Sequence, residues 1–86
     1  MPETYIVITV VGPDRPGLIS EITSVIADFR YNIEDLDQVV MHDIFILSLL
    51  VNISPDVVGY DKLRKKLEYR CNELGVEVTF YYTGGK

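Results

Sequence analysis

The sequence predicts an α+β sandwich built in the order βαββαβ. Four runs alternate at the two-residue period of a strand, and two others repeat at the 3.6-residue period of a helix. Short breaks rich in Gly, Pro, Asp or Asn separate most of them.

Thr4–Val11 reads as the first strand. Ile6, Ile8 and Val10 share one face, and Tyr5, Val7, Thr9 and Val11 the other. Both faces are largely apolar, which places the strand inside a sheet. Gly12-Pro13-Asp14-Arg15-Pro16-Gly17 follows, a corner whose two prolines and two glycines oppose both helix and regular strand. Leu18–Phe29 reads as a helix, with Leu18, Ile22, Val25, Ile26 and Phe29 on one stripe and Glu21, Ser24 and Asp28 on the other side. Its end, Arg30-Tyr31-Asn32, offers no glycine. Arg30 or Asn32 is therefore expected to turn left-handed, at about 1 kcal/mol for a residue with a Cβ.

Ile33–His42 reads as the second strand, acidic at Glu34, Asp35 and Asp37 and apolar at Val39, Val40 and Met41. His42-Asp43 makes a two-residue turn into a third strand, Ile44–Ile53, the most hydrophobic element and a central one. Ser54-Pro55-Asp56 breaks the pattern. A second helix begins between Pro55 and Asp61, buries Tyr60, Leu63, Leu67, Cys71 and Leu74, and stops at Gly75. Val76–Thr83 is the fourth strand, with Val76, Val78, Phe80 and Tyr82 on one face, and residues 84–86 form a loose tail. Right-handed crossovers then give a four-stranded antiparallel sheet in spatial order 4-1-3-2, with both helices on one face. This is the ferredoxin-like sandwich, and residues 1–86 are expected to form one such domain with strand two on an edge. By parity the open face carries Tyr5, Val7, Ile46, Leu50 and Tyr81. So much exposed apolar surface implies a covering partner or a second copy.

The totals narrow the function. A net charge of −5 over 86 residues argues against nucleic acid, which needs clustered cations. The basic residues Lys62, Arg64, Lys65, Lys66 and Arg70 fit the solvated face of the second helix. One cysteine, Cys71, excludes an intrachain disulfide and fits a reducing compartment. No signal peptide is visible, and the longest apolar run, Ile44–Val51, is too short to span a bilayer. A cytoplasmic protein without membrane contact is the expectation.

Catalytic chemistry has little support. His42 is the lone histidine and reads as a turn residue, Cys71 as part of the buried stripe, and one His with one Cys falls short of a zinc set. Asp35 and Asp37 share a strand face, but two carboxylates supply too few oxygens for Ca²⁺ or Mg²⁺ and read as a charge-blunted edge. Neither a nucleophile–base grouping nor a phosphate-cradling glycine pattern appears. No enzyme activity, metal or cofactor is expected.

The corner is the candidate site. A new helix start leaves backbone N–H groups unpaired, and glycines let a small anionic or zwitterionic ligand approach them. Asp14 is placed either to cap the helix or to meet a ligand's ammonium group.

Asp-Arg-Pro-Gly-Leu-Ile-Ser-Glu-Ile at 14–22, followed by Asn32-Ile33, resembles the ACT domain. The pattern is nearest the short, stand-alone subgroup and is similar to the ACT modules of the glycine-cleavage regulator and of formyltetrahydrofolate deformylase. The resemblance spans essentially the whole chain. It implies a regulatory homodimer that binds a small molecule, often an amino acid, at the corner near the dimer interface, with a regulated partner protein. Carried onto this chain, it implies a site of Gly12, Asp14, Arg15, Pro16, Gly17, Leu18, Asn32 and Ile33. Arg30 stands where most relatives have glycine. A ligand-free dimerisation or adaptor module is the competing expectation.

Overall fold

The structure, a computed structural model, describes residues 3–83. Its elements are β1 (Tyr5–Pro13), α1 (Leu18–Asp28), β2 (Asn32–Met41), β3 (Ile44–Asn52), a 3-10 turn (Ser54–Asp56), α2 (Tyr60–Leu74) and β4 (Glu77–Tyr82). Every strand pair is antiparallel, and the order across the sheet is β2-β3-β1-β4, the 4-1-3-2 arrangement that the connections require. The expected tail at 84–86 lies outside the described residues.

The alternation of apolar residues decides which face is buried. Ile6, Ile8 and Val10 of β1 and Phe45, Leu47, Leu49 and Val51 of β3 are buried under the helices. Leu18, Ile22, Val25 and Ile26 of α1 and Leu63, Leu67 and Cys71 of α2 meet them. Each such aliphatic side chain contributes about 1.5–3 kcal/mol of transfer free energy, so these two stripes hold the helices on the sheet. A half-exposed ion pair, Glu21–Arg70 at 3.2 Å, adds a minor link between α1 and α2.

Element ends differ from the sequence expectation by a residue or two, and two of them do so for identifiable reasons. The first is the end of β1, which continues through Gly12 and Pro13, opposite Phe45 and Ile44 of β3. Pairing with β4 stops at Val11–Glu77. Pro13 therefore sits where β1 has a neighbour on one side only, which tolerates its missing N–H. The second is the end of α1, at Asp28, one residue early, and Arg30, one of the two residues expected to do so, takes the left-handed turn, at φ 62. Asn32 opens β2 instead.

The His42-Asp43 turn forms as expected, with His42 at φ 56 and Met41 opposite Ile44. A bulge between Ile33 and Asp35 leaves Glu34 as the extra residue. Downstream of it, register sets two kinds of row across the sheet. On the helix side, Gln38 aligns with Leu47 and Val10, and Val40 with Phe45 and Gly12. On the open side, Asp37 aligns with Ser48, Thr9 and Thr79, and Val39 with Ile46, Val11 and Glu77.

The helices pack over β1, β3 and β4, and β2 beyond Ile33 is left exposed. Leu36 (41%) and Val40 (45%) are exposed on its helix side, Val39 and Met41 on its open side. This edge strand thus presents apolar side chains both ways, beside the acids expected to blunt it.

Candidate functional site

A cavity of about 360 Å³ opens at the β1–α1 corner, lined by Asp14, Arg15, Pro16, Gly17, Leu18, Ile19, Ser20, Gln38 and Phe45. Its size falls in the ordinary range for small-molecule sites. Three elements build it. The corner and the first turn of α1 form one wall, Gln38 of β2 the other, and Phe45 of β3 lies between them.

The local sequence explains the shape. Because β1 runs to Pro13, the next residue is tied down: the Asp14 N–H donates to the Asp43 carbonyl at 2.8 Å, which fastens the corner to the β2–β3 turn. The chain then reverses through Arg15-Pro16-Gly17. Gly17 is the N-cap of α1 and has φ 85, a conformation that suits glycine. A Cβ there would meet nothing within 4 Å, so the requirement is conformational and the space above the helix start is open.

That geometry overturns one of the two roles open to Asp14. It lies three residues before the N-cap, and α1 has no side-chain cap. The first helical hydrogen bond runs from the Glu21 N–H to the Gly17 carbonyl at 3.0 Å. The amides of Leu18, Ile19 and Ser20 precede it and have no partner within the helix. The positive end of α1 is thus bare and faces the cavity. Asp14 and Arg15 are both exposed beside it, and among the described residues neither enters an ion pair. The arrangement offers donors for an anionic group and, alongside, a carboxylate for a cationic one.

The residues expected at the site divide. Asp14, Arg15, Pro16, Gly17 and Leu18 line the cavity together. Gly12, Asn32 and Ile33 do not line it. Gly12 has a packing role, since a Cβ there would lie 2.6 Å from Val76 Cγ1. Asn32 is at the far end of β2, opposite Asn52, and its Nδ2 donates to Glu34 Oε2 at 2.7 Å. At about 3.3 Å per strand residue it is roughly 20 Å from Gln38, so Asn32 and the cavity of the same chain are separate places. Ile33 packs partly against the core.

Gln38, Phe45, Ile19 and Ser20 were missing from the sequence-derived set. The signal for two of them was in the hairpin: a turn at His42-Asp43 forces Gln38 and Phe45 onto the helix side, next to the corner.

Other chemistry-bearing residues stay apart from this site. Asp35 and Asp37 flank a smaller hollow of about 120 Å³ on the open side of the sheet, with Ser48, Val7 and Leu50. Among the described residues no cluster of three or more His, Cys, Asp or Glu could hold a metal ion. Burial pushes the Cys71 thiol up to about 11, away from reactivity. Among the described residues no helix is long and apolar enough to cross a membrane.

A ferredoxin-like βαββαβ unit of this order is the architecture of ACT domains, which are commonly regulatory and ligand-binding. The ACT domain model matches residues 4–81, and the chain belongs to that family. A UPF0237 protein of Methanopyrus kandleri is 45% identical over 75 residues, which cover 87% of this chain and 83% of that one. Among solved structures, an ACT domain protein from Streptococcus pneumoniae is 28% identical with a TM-score of 0.80, covering 92% of this chain and 89% of that one. A putative glycine cleavage system transcriptional repressor matches with a TM-score of 0.85 at 24% identity, over 98% of this chain but 48% of its own. A formyltetrahydrofolate deformylase from Pseudomonas putida matches with a TM-score of 0.79 at 15% identity, over 90% of this chain and 28% of its own. These last two likenesses are of fold.

Proposed function

We propose that this chain is a regulatory ACT domain that senses a free amino acid in the cavity at the β1–α1 corner and acts as a homodimer. The observation that carries the reading is the bare N-terminus of α1, with the Asp14 carboxylate and Arg15 guanidinium beside it. A zwitterion matches this set. Its carboxylate would accept from the Leu18–Ser20 amides and Arg15, and its ammonium group would donate to Asp14. Membership of the ACT family supports a regulatory role rather than a catalytic one.

The dimer follows from β2. Its edge is unpaired among the described residues, and its apolar side chains on both faces gain from cover. Antiparallel pairing of two β2 strands would bring the partner subunit's Asn32 towards this chain's Gln38. Asn32 and Ile33 would then serve the partner's cavity rather than their own. A ligand held between the subunits shifts the assembly only by favouring one quaternary state.

The test is an unfolding scan against a panel of free amino acids near millimolar concentration. A ligand at a hundred times its Kd stabilises by about 2.7 kcal/mol, which moves the midpoint of so small a domain by roughly 10–20 °C at about 4–8 °C per kcal/mol. Asp14→Asn should keep the ligand-free midpoint, because the carboxylate caps nothing, and lose the ligand shift. A panel without any shift would favour the second reading, a dimerising adaptor that binds a partner protein through β2 or the open sheet face. The exposed apolar residues Val39, Met41 and Tyr81 are what that reading rests on.

A further inference from the structure

The charges lining the cavity balance, and one wall carries a polar group that they do not use. Among the described residues, Asp14 and Arg15 are the only ionisable side chains of the lining. A bound zwitterion engages both through its α-ammonium and α-carboxylate groups. Nothing of either sign is then left to neutralise a charged ligand side chain, and an unpaired charge in a partly desolvated site is costly.

The apolar floor of the cavity is also largely spent, although Pro16 is exposed and Ile19 half-buried on the wall at the helix start. Phe45 and Leu18 are each 2% exposed, because they already pack in the core. A purely aliphatic ligand side chain that reaches across from the helix start would find little free apolar surface on that floor. Gln38 is different. It is exposed, faces the cavity across from the helix start, and is the lone polar residue between Leu36 and Val40 on the helix side of β2. Its carboxamide has two donor hydrogens and an acceptor oxygen, so it pairs with another amide or with a hydroxyl.

We infer that Gln38 is the specificity-determining residue of this cavity, and that it selects an amino acid with an uncharged, hydrogen-bonding side chain, an amide or a hydroxyl. This rests on the amino-acid reading of the corner. A side chain anchored at its α-groups by the α1 wall points across the cavity towards Gln38, the polar side chain of the opposite wall. Isosteres separate by charge as well. Glutamate is the size of glutamine, but it would set a carboxylate against a neutral wall in a protein that already carries a net charge of −5.

The experiment is titration calorimetry on the purified chain with glutamine, asparagine, serine, threonine, leucine, glutamate and lysine. The amide or hydroxyl ligands should bind about five- to tenfold more tightly than leucine, glutamate or lysine, the worth of one or two exposed hydrogen bonds. Gln38→Leu should remove that preference and leave the weaker α-group binding in place. Gln38→Glu should turn the preference towards lysine. Gln38 is exposed, so both variants should keep the wild-type unfolding midpoint, measured in parallel. Tightest binding of leucine or glutamate by the wild type would overturn the inference while leaving the amino-acid site standing. So would an unchanged ranking in Gln38→Leu. Binding of none of the seven would overturn both.

Discussion

Arg30 and Gly12 show how single residues set the frame of the corner. Arg30 holds φ 62 just past α1, where its N–H donates to the Ala27 carbonyl at 2.9 Å. A side chain there costs about 1 kcal/mol that glycine avoids. Arg30→Gly should therefore raise stability by roughly 0.5–1 kcal/mol in urea unfolding, and a loss would mean that the arginine makes a compensating contact. Gly12 is the opposite case. Its missing Cβ makes room for Val76, whose Cα would lie 3.0 Å from one. Gly12→Ala must move the β1 end away from the start of β4, at an expected cost of about 1–3 kcal/mol. Asp14 was the least legible residue in the sequence. An aspartate shortly before a helix reads as a cap, but Gly17 holds the N-cap position and Asp14 lies three residues upstream of it.

At the scale of elements, most of the fold was legible. The α1 and α2 stripes and the β1 and β3 alternation name nearly every buried residue, because half-buried elements must repeat at their own period. Element ends were less so, since they depend on which neighbours a strand has. Cys71, on the buried stripe of α2, gives this scale its own test. Burial holds its thiol neutral, raising its pKa from 9.0 to about 11. The folded-state pKa is raised, so this contribution to stability is complete below about pH 9 and is lost as pH rises towards 11. Burial raises the Tyr31 and Tyr60 hydroxyls in the same direction. Comparison of unfolding midpoints at pH 8 and pH 10.5 should show a smaller alkaline loss in Cys71→Ala than in the wild type. An equal loss would assign the whole slope to the tyrosines. The same burial predicts that a thiol reagent labels the native chain only as fast as it opens.

For the whole molecule, the question is whether a second copy covers β2. Its apolar residues favour association, while Glu34, Asp35 and Asp37 from two copies would crowd one seam. A β2–β2 dimer should therefore tighten as salt rises from 20 to 500 mM, because screening weakens like-charge repulsion. Sedimentation would read this directly, and Val40→Asp should give a monomer. If Val40→Asp leaves the dimer intact and Leu50→Asp dissolves it, the open sheet face is the interface instead. The sequence showed that some apolar surface needed cover. It did not show that β2 escapes the helices on their own side, because that depends on where both helices come to rest across the sheet.

The central claim is that the bare start of α1 receives a ligand. Backbone amide shifts in a ¹⁵N spectrum, followed as each amino acid is added, test it residue by residue. Binding at this corner predicts saturable shifts concentrated at Arg15, Gly17, Leu18, Ile19 and Ser20, with the side-chain amide of Gln38 among them. Saturable shifts confined to the open sheet face, around Val7, Ser48 and Leu50, would contradict it, as would a spectrum that no amino acid changes.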